Sequence, residues 1–171
     1  MINDIKKLIE QGYISRDDSV KNLSLKYLQK AKTNLITMSL LFDLNINKEA
    51  RELLKIQKEY DTNEWVVITG YYAMYSSALA LLAKIGFRSK NHTATLIVLD
   101  EFFVKKKILD QDSLILLKRA MFHKEEIEKL SDARHKREIA QYSITKQTTK
   151  SIADKIKKDA YDFINKVESI I

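Results

Sequence analysis

Few residues of this 171-residue chain are equipped for acid–base or metal chemistry, and they do not cluster. The three histidines, His92, His123 and His135, stand far apart in the chain, so ordinary surface histidines account for them more simply than metal ligands do. Carboxylates fall on helical spacings beside lysines, as Glu125 does with Lys129, and such i,i+4 pairs are ordinary salt-bridge spacing. A carboxylate-bridged di-metal bundle takes Glu-x-x-His motifs from facing helices. The run Glu125-Glu126-x-Glu128 lacks the histidine, and no second set exists. There is no cysteine, which excludes disulfides, thiolate metal sites and cysteine nucleophiles and suits a reducing cytosol. The three glycines lie too far apart for a phosphate-cradling loop, and neither a zinc-protease motif nor a calcium-binding loop is present. The expectation is therefore no metal and no cofactor.

What the chain does offer is positive charge. It carries a net +7, with a pI of about 9.4, and residues 84–137 hold 13 Lys and Arg against 8 Asp and Glu. That segment includes the basic link FRSKNH at 87–92 and the run Lys105 to Lys107. A local basic excess binds phosphate backbones or acidic partners through charge alone. A lysine-rich solvated surface is the plainer reading.

These residues are positioned by helices. With no proline and only three glycines, the turns an all-β fold needs are scarce. A short helix is expected over 3–11, then a long one capped by Asp17, Asp18 or Ser19. Its stripe of Val20, Leu23, Tyr27, Leu28, Ala31, Leu35, Met38, Leu41 and Phe42 keeps spacings of three and four. Asn47 is placed to cap a third helix over about 48–59, and Asp61 with Glu64 to open a fourth over about 62–85. That fourth helix is apolar nearly all round, the mark of the most buried helix in a bundle, and Gly86 sits where a left-handed cap belongs. A helix over 93–105 follows, then one over about 114–141 capped by Asp112 or Ser113, and a last one over 150–170 with Ile152, Ile156, Ala160, Phe163, Val167 and Ile170 on one face. The N-terminus lacks the apolar run of a signal peptide. The best span candidate, 65–85, is interrupted by polar residues and fits the buried helix of a soluble bundle. The fold expected is all-α, an up-and-down bundle of four to five main helices with short additional ones.

Three segments carry a further signal. Residues 70–87, GYYAMYSSALALLAKIGF, form an aromatic-small-aromatic helix ending at a glycine before a basic loop. Residues 89–109, SKNHTATLIVLDEFFVKKKIL, open a helix with a lysine-flanked histidine and run through an apolar stretch to Phe-Val-Lys. Residues 133–144, ARHKREIAQYSI, end in an R-x-x-A-D-Y-like pattern with Gln141 in the aspartate position. In this order and spacing they resemble the HEPN family of nucleic-acid-associated helical bundles. The resemblance is strongest over 62–170, with 1–60 as N-terminal helices of the same single domain, 1–171.

The resemblance implies a homodimer, often paired with a small nucleotidyltransferase in a toxin–antitoxin or defence module. Active members cut RNA without metal, using an arginine, then four to six residues, then a histidine, and the dimer joins two such motifs in one cleft. Counted from Arg137, the histidine slot here holds Tyr142, and a phenol with a pKa of about 10 is a poor base at neutral pH. The two stand five residues apart, about 140° round a helix, so they share a face only if the helix ends between them. Arg137 bonding within the bundle and Tyr142 closing its core is the structural alternative. The expectation is a cytoplasmic module, without membrane contact, that binds RNA or a nucleotide-bearing partner through Arg134, Arg137, Gln141, Tyr142, His92, Arg88 and Lys90. The alternatives are a metal-independent endoribonuclease toxin in which Arg137 and Tyr142 are catalytic, and a non-catalytic scaffold.

Overall fold

The computed structural model describes the backbone of residues 2–134 and 142–171 and the side chains of 4–129 and 149–171. It is an all-α bundle with one minimal sheet. The chain opens with α1 (Ile2–Glu10) and β1 (Ile14–Arg16), followed by a 3₁₀ turn (Asp18–Leu23) that leads into α2 (Ser24–Ile46). Next come α3 (Lys48–Leu53), α4 (Asn63–Lys84), β2 (Phe87–Ser89) and α5 (His92–Leu99), which runs on as a π-helical segment (Asp100–Val104). The chain closes with α6 (Gln111–Arg134) and α7 (Tyr142–Ile170).

Cross-helix contacts fix the directions of the four long helices. Ser24 Oγ donates to the Ala80 carbonyl at 2.9 Å, and Thr62 Oγ1 donates to the Leu41 carbonyl at 2.5 Å, so α2 and α4 are antiparallel. Arg119 meets Asp159, and Lys166 meets Asp110, so α6 and α7 are antiparallel too. Gly70 faces Ile156 while Lys84 donates to the Ile170 carbonyl, so α4 and α7 run the same way. The result is up-and-down, with α4 at its centre.

The apolar stripes of α2 and α7 point inward as their spacing requires. Leu28, Ala31, Leu35 and Met38 are buried on α2, as are Ile156, Ala160, Phe163 and Val167 on α7. Helix α4 is long and apolar enough to cross a bilayer by length and composition, but 72% of its most apolar window is buried inside the bundle, where it forms the core. Gly86 ends the chain's run through α4 at φ +77°, the left-handed conformation expected there.

Several boundaries differ from expectation. Helix α3 stops at Leu53, because nothing holds the next turn: Leu53 and Leu54 face solvent, and Lys55 turns to a φ of +52°. The Arg51 guanidinium instead collects the carbonyls of Gln57 and Tyr60 at 2.9 and 2.7 Å. Asp110, rather than Asp112 or Ser113, caps α6; its carboxylate accepts from both the Ser113 backbone N–H (2.7 Å) and hydroxyl (3.0 Å). Lys166 lies 2.7 Å away, and this ammonium first, then the Ser113 bonds, hold the Asp110 carboxyl at about 2. Helix α7 begins at Tyr142, earlier than expected. The basic link 87–92 contains a strand: β2 pairs antiparallel with β1 in the register Ile14 to Ser89, Ser15 to Arg88 and Arg16 to Phe87.

Candidate ligand site between α4, α5 and α6

The link after α4 doubles back. Helix α4 ends at Lys84, yet the His92 ring lies 4.4 Å from the ring of Tyr75 and 5.5 Å from that of Tyr71. At 1.5 Å per residue, Tyr75 is about 14 Å back along the helix from Lys84. Extended backbone in β2 covers that distance in few residues. Asn91 then caps α5, its side chain accepting from the Ala94 N–H at 2.7 Å, which makes His92 the first helical residue and sets its ring against α4.

His92 Nδ1 is hydrogen-bonded to the Tyr71 hydroxyl. Tyr71 is buried, and burial first, then the neighbouring Tyr75 and Tyr72 and the acids of α6, push its phenol far above the usual value. The phenol therefore keeps its proton and donates it to Nδ1, which leaves the N–H on Nε2. Burial and then the Lys124 ammonium hold His92 below the ordinary histidine value, against the opposing pull of Glu125 and Glu128. At neutral pH the ring is an uncharged hydrogen-bond donor. Tyr75 stacks on Tyr71 at 5.8 Å between centroids, and its hydroxyl lies 3.4 Å from Thr95 Oγ1. Burial raises the Tyr75 phenol as well.

Helix α6 adds the charge. Lys124 reaches inward with only 12% of its side chain exposed, pairs with Glu128 at 2.6 Å, and lies 5.9 and 5.8 Å from the ring centroids of Tyr71 and Tyr72. Burial opposes that charge, but the Glu128 hydrogen bond and the surrounding groups outweigh it and raise the ammonium above the usual lysine value. Tyr72 keeps 39% of its surface in solvent. One exposed ring, one ammonium and one neutral N–H donor thus meet where three helices join. Such a set suits a flat ligand carrying negative charge, by stacking and hydrogen bonding.

Of the residues singled out from sequence, His92 lies in this cluster. Arg88 lies on β2 and Lys90 just after it: Arg88 Nε donates to Asp17 at 3.0 Å, and the exposed Lys90 gives its backbone N–H to the Tyr13 carbonyl at 2.9 Å. Arg134 is the last residue of α6, about 15 Å beyond Lys124 toward the end of the bundle where α4 begins. Tyr142 opens α7. The side chains of Arg134 and Tyr142 lie outside the described residues, as do Arg137, Gln141 and His135 altogether. Lys124, Glu128 and Tyr71 were not foreseen as partners of His92. A signal for Lys124 exists, since it falls on the stripe of Leu117, Met121 and Ile127, where a lysine is out of place unless it has partners.

The architecture is that of an all-α helical-bundle domain, in which buried tyrosines hold a histidine at the start of a short helix beside an inward lysine. Comparison with known proteins gives the family: residues 44–170 match the HEPN domain model, and the chain belongs to the HEPN family. It is also similar to a curated UPF0332 protein of Archaeoglobus fulgidus, with 30% identity over 131 residues, which is 75% of this chain and 94% of that one.

Proposed function

We propose that this chain is a HEPN module that binds RNA, or a nucleotide-bearing partner, without cutting it. The observation that carries this reading is the cluster itself: a neutral donor, an ammonium held by the Glu128 carboxylate and a partly exposed tyrosine ring. Family membership supports the nucleotide- and RNA-associated class. The departure at Tyr142, where the ribonuclease motif needs histidine, argues against cleavage. The basic excess of residues 84–137 supplies the sequence-independent attraction to phosphates.

The working unit we propose is a homodimer. On α4, the exposed Trp65 and the half-buried Ile68 one turn on give an apolar surface of the kind that packs against another helix. A small nucleotidyltransferase as cognate partner, a toxin–antitoxin or defence setting and a cytoplasmic location belong to the same proposal, on the strength of the resemblance.

The test is binding of a labelled single-stranded RNA at low salt in EDTA. Intact RNA that is bound by the wild type, and bound several-fold more weakly by Lys124→Gln, is the expected result. Absence of binding, or equal binding by both proteins, sinks this reading. RNA cleavage lost in Arg137→Ala would install the second reading, a metal-independent endoribonuclease.

A further inference from the structure

The family match begins at residue 44, so α1, β1 and the 3₁₀ turn lie outside it. Besides burying Ile5, Ile14 and Val20, this N-terminal stretch is hydrogen-bonded to the link between α4 and α5. The Asp17 N–H donates to the Gly86 carbonyl at 2.8 Å, the Lys90 N–H donates to the Tyr13 carbonyl at 2.9 Å, and the β1–β2 ladder lies between them. The Arg16 guanidinium lies over the Phe87 ring at 5.5 Å. Gly86 admits the 3₁₀ turn because it has no side chain: a Cβ there would come within 2.7 Å of Asp18 Oδ1. Asp17 closes the strap. One carboxylate oxygen takes the Ser19 N–H at 2.9 Å and the Ser19 hydroxyl at 2.6 Å, and the other takes Arg88 Nε at 3.0 Å. The Ser19 bonds first, and then Arg88, keep this carboxyl below its usual range, so it is ionised throughout the neutral range.

Arg88 is the arginine of the link that delivers His92, with about half its side chain in solvent, and a guanidinium there is suited to a phosphate. Asp17 fills its Nε. We infer that the N-terminal strand is an internal competitor for nucleic acid: the Asp17 carboxylate occupies Arg88 in place of an RNA phosphate, and binding of the phosphodiester displaces it. The strand pairing keeps the link extended, with His92 in place, whether Arg88 is turned to Asp17 or to RNA. This deepens the RNA-binding reading above and rests on it.

The experiment measures binding of a fluorescein-labelled single-stranded oligouridylate by anisotropy across a salt series, for wild type, Asp17→Asn, Arg88→Gln and the double variant. Asparagine keeps a cap oxygen for Ser19 while removing the charge. Circular dichroism and thermal melting establish that each variant is folded. Asp17→Asn is expected to bind about threefold more tightly at low salt, the size of an exposed ion pair that no longer has to be broken, while Arg88→Gln, which loses one phosphate contact, should show a slope of log affinity against log salt shallower by roughly 0.7. Arg88→Gln should bind more weakly than wild type, and adding Asp17→Asn to it should restore nothing. Unchanged or weaker binding by folded Asp17→Asn overturns the inference, as does an equal gain in the Arg88→Gln background, which would reduce Asp17 to a generic repulsive charge. If Asp17→Asn changes nothing while Lys124→Gln still loses affinity, the competitor fails and the RNA-binding module stands. If neither wild type nor Asp17→Asn binds, both fall.

Discussion

The two sides of α4 are built on opposite terms. One side is dry and crowded. Gly70 faces α2 and α7 there, and its missing side chain lets Ile156 and Met38 press onto the helix backbone, with Val66, Val67, Ala73 and Met74 buried around it. About 200° round the helix from Gly70, Tyr72 is partly open to solvent, and Tyr71 and Tyr75 hold His92 through hydroxyls and ring faces. The first side is complementary in shape, with hydrogen bonds between α2 and α4 only toward its two ends, from Ser24 and Thr62. The second gives up close packing to arrange a donor, a cation and an exposed ring. One helix thus separates what holds the bundle together from what is available to a ligand.

The sharpest way to break that contrast is to fill the dry side. A Cβ at position 70 would come within 2.5 Å of Ile156 Cγ2 and 2.9 Å of Met38 Sδ. Methionine can yield, but a branched isoleucine methyl cannot turn away freely. Gly70→Val should therefore destabilise the fold by about 3 kcal/mol, the upper range for overpacking, seen as a lower urea midpoint with little change in m-value. Gly70→Ala should cost less, because about 1 kcal/mol of helix propensity offsets part of the clash. A Gly70→Val protein as stable as wild type would mean that the three helices do not meet at this residue.

The polar side should respond differently. Tyr71→Phe keeps the ring and removes the hydroxyl, leaving His92 Nδ1 without its donor in a half-buried site. The expected loss is about 1–2 kcal/mol by urea unfolding, the usual cost of an unmet polar group. RNA affinity should drop along with it, because the tautomer of His92 is no longer fixed. Gly70→Ala, by contrast, should change stability and leave affinity alone. If Tyr71→Phe and Gly70→Ala shift both properties in proportion, the two sides of α4 are not functionally distinct.

How much of this could be seen in the sequence follows the same division. The dry side was legible, because helical spacing records which residues face inward: the stripes of α2 and α7 are buried as their periodicity required, and Asn47 and Gly86 cap where side-chain chemistry placed them. The end of α3 was not legible. Leu53, Leu54 and Ile56 look like a stripe, and only the absence of a partner surface shows that they lack one. The strand in FRSKNH depends on Ile14–Arg16, more than seventy residues earlier, and no local pattern records such a pairing. The candidate site was half legible. His92 stood out by its type, but Tyr71 and Lys124 became its partners only when three helices met. The remaining expected residues, Arg137 and Gln141, lie outside the described part of the molecule.

Lys124→Met gives a finer cut through the polar side. The methionine keeps the aliphatic bulk over Tyr71 and Tyr72 and removes the charge, while Glu128, about half exposed, returns to water. Stability should change by less than about 1 kcal/mol, as for other partly solvated pairs. The informative readout is His92. Lys124 helps to hold its pKa down, so in the variant the His92 ring should titrate at a higher pH, as followed by its ring-proton chemical shifts. A titration curve unmoved by the substitution would remove Lys124 from the cluster.

The smallest effect expected is a pH dependence whose sign is fixed by the same cluster. His92 has a lowered pKa in the folded protein and an ordinary one, about 6.5, when unfolded. Above that value both states hold it neutral, and it contributes no slope. As the pH falls below 6.5 the unfolded chain takes up the proton first, so stability declines until the folded value is passed and then levels off. Asp110 acts in the same sense but in another window. Its folded value of about 2 means that its contribution is complete above the ordinary carboxylate value of 3.8 and is lost only in stronger acid. Asp159, whose carboxyl is raised by burial, works in the opposite sense, so the difference between wild type and His92→Gln in urea midpoints from pH 7 to 5 is what reports the histidine. His92→Gln should flatten the curve there by removing the titrating group, and Lys124→Met should shrink the decline by bringing the folded pKa nearer 6.5. A decline that survives His92→Gln would have to come from another group, and the neutral donor assigned to His92 would lose its support.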